Sequence, residues 1–184
     1  MTVEQYLEIE RLAEHKSEYR DGEMFATPAA NQAHCLVTVN VAARIHSQLR
    51  RRPYEVYLCQ MRLNAADLYT YPDVVVVCGV PQFLDDVTDT LLNPTLLVEV
   101  LSPSTEAYDR GRKFEHYCRI ESLRQYLLVA ADRVRVDLFT RQPDGQWLLR
   151  SAASLEEEVA LDSIECRLKV AEIYEKVELG QGEK

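Results

Sequence analysis

Residues 71–77 read Tyr-Pro-Asp-Val-Val-Val-Val, and residues 95–101 read Thr-Leu-Leu-Val-Glu-Val-Leu. Apolar runs of this length, rich in Val and Leu, are typical of central strands that are covered on both faces of a sheet. Each run carries one acid, Asp73 at the start of the first and Glu99 inside the second. A charge buried in such a strand costs on the order of several kcal/mol unless it is paired, hydrogen-bonded or bound to a cation. Both acids therefore need partners.

Asp73 and Glu99 have a functional and a structural interpretation. If the two strands are neighbours, both carboxylates can bind one hard divalent cation such as Mg²⁺, whose shell is commonly completed by water and a substrate phosphate. In the structural alternative, Asp73 accepts hydrogen bonds from backbone N–H groups at a strand entry, and Glu99 pairs with a buried Arg or Lys. The residues alone leave both alternatives open.

Residues 106–120 are predicted to be helical, because the hydroxyl side chains within 102–105 can cap a helix and Glu106 favours its first turn. Asp109, Lys113 and Tyr117 follow at four-residue intervals, so they share a face of the helix that can look toward Glu99. The alternative is an ordinary surface ion pair between Asp109 and Lys113, with Tyr117 only packing.

The rest of the chain alternates between helical and strand patterns. Apolar spacing predicts helices at 3–15, 31–51 and 168–177, strands at 54–63, 125–131, 134–140 and 146–150, a two-residue hairpin turn at 21–22 and a surface excursion at 81–94. A central sheet with helices before it and one crossover helix predicts a mixed α/β or α+β fold.

Length and composition favour one water-soluble globular domain. The chain has 184 residues, 47% hydrophobic and 28% charged, which predicts a single domain over residues 1–179 and a frayed tail at 180–184. The formal net charge of −9 argues against attraction of the whole molecule to nucleic acid or anionic lipid. Any polyanionic partner would have to meet a local patch or metal ions.

Cellular location is predicted from cysteine usage and from apolar runs. The five cysteines are odd in number and scattered without a C-x-x-C pair, so we expect buried thiols rather than disulfides or a structural zinc site. No apolar run approaches the roughly 20 residues of a membrane-spanning helix, and the N-terminus lacks the pattern of a secretory signal. We expect a cytoplasmic protein with no membrane partner.

Several motifs together resemble one known family. They are Pro72-Asp73-Val74-Val75-Val76-Val77, Val98-Glu99-Val100-Leu101-Ser102-Pro103-Ser104-Thr105, Asp109-Arg110-Gly111-Arg112-Lys113 with Tyr117, and Gln125-Tyr126-Leu127-Leu128-Val129. The chain resembles the bacterial putative restriction endonuclease family, a domain of unknown function within the PD-(D/E)XK nuclease superfamily. The resemblance covers nearly the whole chain, including the Asp21-Gly22-Glu23 hairpin and the helix that contains His34.

The resemblance implies a restriction-endonuclease-like core, a mixed β-sheet flanked by helices, that hydrolyses phosphodiester bonds with Mg²⁺ or Mn²⁺. It implies that Asp73, Glu99 and the backbone carbonyl of Val100 hold the metal, with Glu23 as an additional ligand. The residues expected to support this site are Asp109, Tyr117 and His34.

One position departs from the superfamily pattern. The usual catalytic lysine lies two residues after the second acid, on the same strand face, but that position is Leu101. We expect Lys113 to take this role, because the family's own pattern places a lysine there. The expected catalytic residues are therefore Asp73, Glu99 and Lys113.

Two functions are compatible with these features. The first is a Mg²⁺-dependent endonuclease that acts on DNA, as a homodimer if it cuts both strands in the manner of many superfamily members. The second is a catalytically inactive nuclease fold that serves as a binding or assembly module, with its acids paired structurally. The net charge of −9 favours the second function, whereas the acidic pair and Lys113 favour the first.

Overall fold

The computed structural model describes residues 1–27 and 29–179, so the predicted tail at 180–184 lies outside the described residues. The helices are α1 (Val3–Leu12), α2 (Gln32–Leu49), α3 (Glu106–Tyr108), α4 (Phe114–Tyr117) and α5 (Val170–Ile173), with a π-helical turn at Asp109–Lys113 and a 3-10 turn at Asp162–Ile164. The strands are β1 (Ser17–Arg20), β2 (Glu23–Ala26), β3 (Tyr54–Leu58), β4 (Arg62–Ala65), β5 (Leu68–Thr70), β6 (Val74–Cys78), β7 (Thr90–Leu91), β8 (Leu96–Leu101), β9 (Gln125–Ala130), β10 (Val136–Arg141), β11 (Trp147–Ala152), β12 (Glu158–Leu161) and β13 (Cys166–Lys169).

A mixed six-stranded sheet forms the centre of the fold, in the order β11-β10-β9-β8-β6-β3. The two apolar runs that carry the acids are β6 and β8, which are adjacent and antiparallel, with Val74 opposite Val98. Strand β8 pairs in parallel with β9, and the helical segment between them makes the crossover that parallel neighbours require. The predicted mixed α/β fold is therefore confirmed.

Both faces of the central sheet are buried at β6 and β8, as the continuous apolar runs predict. On one face, Val74 and Val98 pack with Ile45 and other apolar residues of α2. On the opposite face, Val75 and Leu97 belong to a second core. Fully burying one such side chain stabilises the fold by about 1.5–3 kcal/mol, so the two cores fix the positions of β6 and β8 firmly.

A second sheet, in the order β2-β1-β5-β4-β7, contains the predicted hairpin. Strands β1 and β2 are joined by Asp21 and Gly22, which have φ of 52° and 84°. Positive φ at both central residues is the geometry of the type I′ turn that the Asp-Gly pair predicts. Strand β1 pairs with β5, which precedes β6 in the chain, so the hairpin lies close to the start of β6.

Four sequence-based assignments were wrong in detail. The run 54–63 divides into β3 and the start of β4 in different sheets, and the excursion at 81–94 contains the buried strand β7. The predicted helix begins at Glu106, as expected, but it contains the π-helical turn and ends at Tyr117 instead of Ile120. The expected last helix at 168–177 is mostly replaced by β13 and the short α5, because Leu168 is buried through pairing with β12.

The cysteines are less buried than expected. All five are free, but only Cys166 is buried, whereas Cys35 and Cys78 are exposed. The latter two occupy the outer face of a helix and the end of a strand, where a small thiol need not be covered. Within residues 1–27 and 29–179, no helix is long and apolar enough to cross a membrane.

Candidate active site

Asp73 and Glu99 meet because of the register between β6 and β8. Val74 lies opposite Val98 in this antiparallel pair. One step back along the first strand and one step forward along the second place Asp73 beside Glu99. Both acids are buried, with exposed fractions of 8% and 4%. The expectation that neighbouring strands bring the two acids together is therefore met.

Asp73 is held by two hydrogen bonds. Its Oδ1 lies 2.8 Å from Nε2 of His34, and its Oδ2 accepts from the backbone N–H of Val100 at 2.7 Å. His34 sits in the first turn of α2, where Asn31 caps the helix by accepting from the N–H of His34. The backbone N–H bond is the structural role considered for Asp73, while His34 fixes the orientation of the carboxylate from a second element.

Glu99 accepts a hydrogen bond from one side chain of the crossover segment and forms an ion pair with another. The hydroxyl of Tyr117 donates to Oε1 of Glu99 at 2.7 Å, and Nζ of Lys113 lies 3.0 Å from the same oxygen. Lys113 and Tyr117 are four residues apart and face the sheet together, as their spacing predicts. The structural alternative for Glu99, a buried lysine partner, is thus also present.

Lys113 is surrounded by more acids than it can neutralise. Its Nζ lies 3.3 Å from Oε1 of Glu18 and 3.4 Å from Oδ1 of Asp109, in addition to its contact with Glu99. Lys113 is 5% exposed and Asp109 is 4% exposed, so the interpretation of these two residues as a surface ion pair is wrong. Three carboxylates share one ammonium group, and Asp73 lies beside them.

Burial, together with the crowding of acids, shifts the pKa values of the residues in this cluster. Burial raises the pKa of Glu99 to about 8; Lys113 opposes the shift, while Asp109 and Asp73 add to it. Burial also raises the pKa of Asp109. For Lys113, burial lowers the pKa, but attraction to Glu99, Glu18 and Asp109 outweighs it and leaves the pKa well above its ordinary value. Lys113 is therefore a cation at neutral pH and can act as a charge stabiliser, not as a base.

Burial and the contact with Asp73 have opposite effects on the pKa of His34. Burial lowers the pKa of His34, but the hydrogen bond and the attraction to Asp73, together with Asp109 and the backbone of Val100, outweigh it and leave the net pKa raised. A raised pKa increases the protonated fraction of the imidazole near neutral pH. The contact between His34 and Oδ1 of Asp73 thus favours the protonated form of the imidazole.

A cavity of about 710 Å³ opens above these groups. Its lining includes every sequence-predicted site residue except Tyr117 and Glu23: Asp73, Glu99, Val100, Lys113, Asp109 and His34. Tyr117 is fully buried and contacts this group of residues from beneath the cavity, by its hydrogen bond to Glu99. The two acids and the lysine therefore border one cavity.

The residues that could hold a divalent cation are two carboxylates and one backbone carbonyl, those of Asp73, Glu99 and Val100. Mg²⁺ commonly binds to one or two carboxylates and keeps several waters, so this donor set fits its chemistry. Among the described residues, no three His, Cys, Asp or Glu side chains form a group that could hold a metal ion unaided. The acids around the cavity outnumber the lysines, and this excess of acids also favours the binding of a cation.

Glu18, and not Glu23, is the acid that the hairpin brings to this site. Glu18 on β1 lines the cavity and accepts a hydrogen bond from the hydroxyl of Thr70. Glu23 on β2 is exposed and is absent from the described lining of the cavity. The only sequence signal for Glu18 is its position next to Tyr19 in a strand, where neighbouring side chains point to opposite faces of the sheet. This alternation does not show which of the two faces lies toward the site.

Comparison with known proteins agrees with the fold and the motifs. The model of the Uma2 family, described as "Putative restriction endonuclease", matches residues 3–171. Two uncharacterised proteins of Synechocystis sp. (strain ATCC 27184 / PCC 6803 / Kazusa), sll1609 and slr1290, are each 36% identical over 151 residues, which is 81% of this chain and 85% and 78% of theirs.

A solved structure shares the fold. It is described as a putative nuclease belonging to DUF820 from Anabaena variabilis ATCC 29413, and it matches with a TM-score of 0.79 over 95% of this chain and 97% of that one, at 19% identity. At this identity the likeness is one of fold, and it confirms the expected nuclease-like architecture. The family model covers most of the chain and the relatives are similar along most of their length. The chain therefore belongs to the Uma2 family of putative restriction endonucleases.

Proposed function

We propose that this chain is a divalent-metal-dependent endonuclease that hydrolyses phosphodiester bonds in DNA. The observation that carries the proposal is the convergence of Glu18, Glu99 and Asp109 on the buried ammonium of Lys113, with Asp73 beside them at an accessible cavity. A purely structural ion pair would have one acid for the lysine, whereas three carboxyl groups contact Lys113 here. Membership of the family supports the same reaction class.

Each residue has a chemical role in this proposal. Asp73, Glu99 and the carbonyl of Val100 would hold the metal, which when bound supplies a Lewis acid for a phosphoryl oxygen and lowers the pKa of a bound water. His34 keeps the carboxylate of Asp73 in place through its 2.8 Å contact. The ammonium of Lys113 orients the attacking water and stabilises the negative charge that develops on the phosphate.

The test is cleavage of supercoiled plasmid, single-stranded DNA and RNA in Mg²⁺ or Mn²⁺, with variants purified in parallel. Asp73→Asn and Lys113→Met should each lower cleavage by roughly 100-fold or more, because each removes a charge that acts on the reacting phosphate. Glu23→Gln is the matched control, since it changes an exposed acid of the nearby hairpin and should leave cleavage unchanged.

Metal binding can be measured without activity. Mn²⁺ should raise the melting temperature of the wild type and of Glu23→Gln but not of Asp73→Asn, because a ligand that binds only the folded state stabilises it. If no nucleic acid is cut and Mn²⁺ has no effect, the endonuclease is refuted. The second function, a binding or assembly module whose acids are paired only structurally, then becomes the better hypothesis.

A further inference from the structure

The cavity above the acids has two chemically different parts. The carboxylates and Lys113 form its floor. Much of its wall consists of small or apolar side chains, namely Ala26, Ala29, Ala30, Val39, Leu58 and Pro103. If the carboxylates hold a divalent cation, as the proposed function requires, an apolar wall beside that cation suits a ligand that has one phosphate-like end and one flat, weakly polar end.

Few cations are available to a nucleic acid backbone at this cavity. Of the 21 Lys and Arg residues in the sequence, only Lys16 and Lys113 belong to the described lining. Lys16 donates to the carbonyl of Cys59 and packs over the ring of Tyr71, and Lys113 is held by three acids. Proteins that bind duplex DNA obtain much of their affinity from Lys and Arg contacts with phosphates, and both cations of this cavity already have partners within the protein.

The remaining polar groups of the cavity match a single nucleotide. Asn31, Ser102 and Thr105 line it and carry amide or hydroxyl groups that can bond to a base or a sugar. The first turn of α2, which also borders the cavity, contains no acid. The volume of about 710 Å³ lies within the range of about 300–1,000 Å³ that small-molecule pockets have.

We propose that this cavity takes one unpaired nucleotide, with its phosphodiester at Asp73 and Glu99 and its base against the wall formed by Ala30, Val39 and Leu58. This inference rests on the proposed endonuclease function and specifies its substrate class. The substrate is a single strand or a short oligonucleotide such as a dinucleotide. A base-paired duplex is disfavoured, because one of its bases would first have to be unpaired and flipped out of the stack.

Binding by fluorescence anisotropy tests this substrate class. The probes are a labelled 12-nucleotide single strand and its duplex, in Ca²⁺ to suppress turnover, with unlabelled thymidine dinucleotide as competitor. The single strand should bind at least tenfold more tightly than the duplex. The slope of log K against log salt should be about −1, because one or two phosphates at about −0.7 each are neutralised. Displacement of the strand by the dinucleotide would support a site for one unpaired nucleotide, and failure to displace it would contradict such a site.

A pair of tryptophan substitutions tests the position of the base. Val39→Trp places a larger side chain in the space proposed for the base. Val39 lies on α2 and is 52% exposed, so the variant is expected to fold. It should weaken single-strand binding at least tenfold and leave the Mn²⁺-dependent rise in melting temperature unchanged. Val80→Trp, at a valine that is 82% exposed and outside the described lining, is the matched control and should change neither.

The outcomes separate this inference from the function on which it rests. Equal binding and cleavage of duplex and single strand, with a salt slope of about −5 or steeper, would overturn the inference and leave the endonuclease intact. Unchanged single-strand binding by Val39→Trp would overturn it as well. The endonuclease itself fails only if no nucleic acid is cut and Mn²⁺ does not stabilise the fold.

Discussion

Replacing Glu99 by Gln should change how the stability of the protein depends on pH. Burial raises the pKa of Glu99 from 4.5 to about 8 in the folded state. Between these values the folded state binds more protons than the unfolded state. The contribution of this group to stability is therefore complete below about pH 4.5 and is lost as the pH rises through about 8.

The magnitude follows from the size of the shift. One pKa unit corresponds to 1.36 kcal/mol, so the rise from 4.5 to about 8 corresponds to at most about 5 kcal/mol. Glu99→Gln keeps the size of the side chain and an oxygen that can accept from Tyr117, but it has no proton to lose. The variant should therefore gain stability relative to the wild type as the pH rises, by up to about 5 kcal/mol.

Urea-induced unfolding in the presence of a chelator measures this difference. The free energies of unfolding of wild type and Glu99→Gln are compared at about pH 5, 7 and 9, with the exposed Glu23→Gln as control. If the free energies of unfolding of wild type and Glu99→Gln differ by the same amount at all three pH values, the pKa of Glu99 is not raised in the folded state, and the prediction is refuted.

Three further predictions concern the surroundings of the site and the core. Lys113→Met should lower the free energy of unfolding by about 3–5 kcal/mol at pH 9, measured in urea, because it leaves buried acids without their cation; no loss at pH 9 would contradict the burial of these charges. Hydrogen bonds from Arg11, and further contacts with Arg62, lower the pKa of Asp89. Wild type should therefore lose about 1 kcal/mol more than Asp89→Asn between pH 5 and 3, in thermal unfolding at each pH, and parallel curves would refute this. Ile45→Ala should cost about 2–5 kcal/mol, because its side chain is fully buried under β6 and β8, and a loss below 1 kcal/mol in urea unfolding would contradict that packing.

The parts of the fold that depend on local patterns could be predicted from the sequence. Helix α2 follows from its apolar spacing and ends at Leu49 near the start of a run of arginines before Pro53. The type I′ hairpin follows from Asp21 and Gly22, because few residues other than Gly, Asn and Asp accept positive φ. Strands β6 and β8 follow from continuous apolar runs that only a doubly covered sheet can bury.

The parts that depend on contacts between distant segments could not be predicted in this way. Strand β7 is two residues long and is buried only because it pairs in parallel with β4. The π-helical turn has no distinct sequence signal, although such turns are frequent at functional sites. Strands β12 and β13 were missed because each is short and is stabilised mainly by its partner.

The sequence by itself determined that Asp73 immediately precedes a buried strand and that Glu99 lies within one, because an isolated charge beside Val and Leu is visible without a structure. It also determined that Lys113 and Tyr117 share a helical face. Only the tertiary structure decided that this face meets Glu99, that Glu18 replaces Glu23 beside the lysine, and that a cavity with apolar walls lies above them. The reason is physical: periodicity fixes which side chains point together along one element, whereas burial, charge crowding and the shape of a cavity arise from packing between elements.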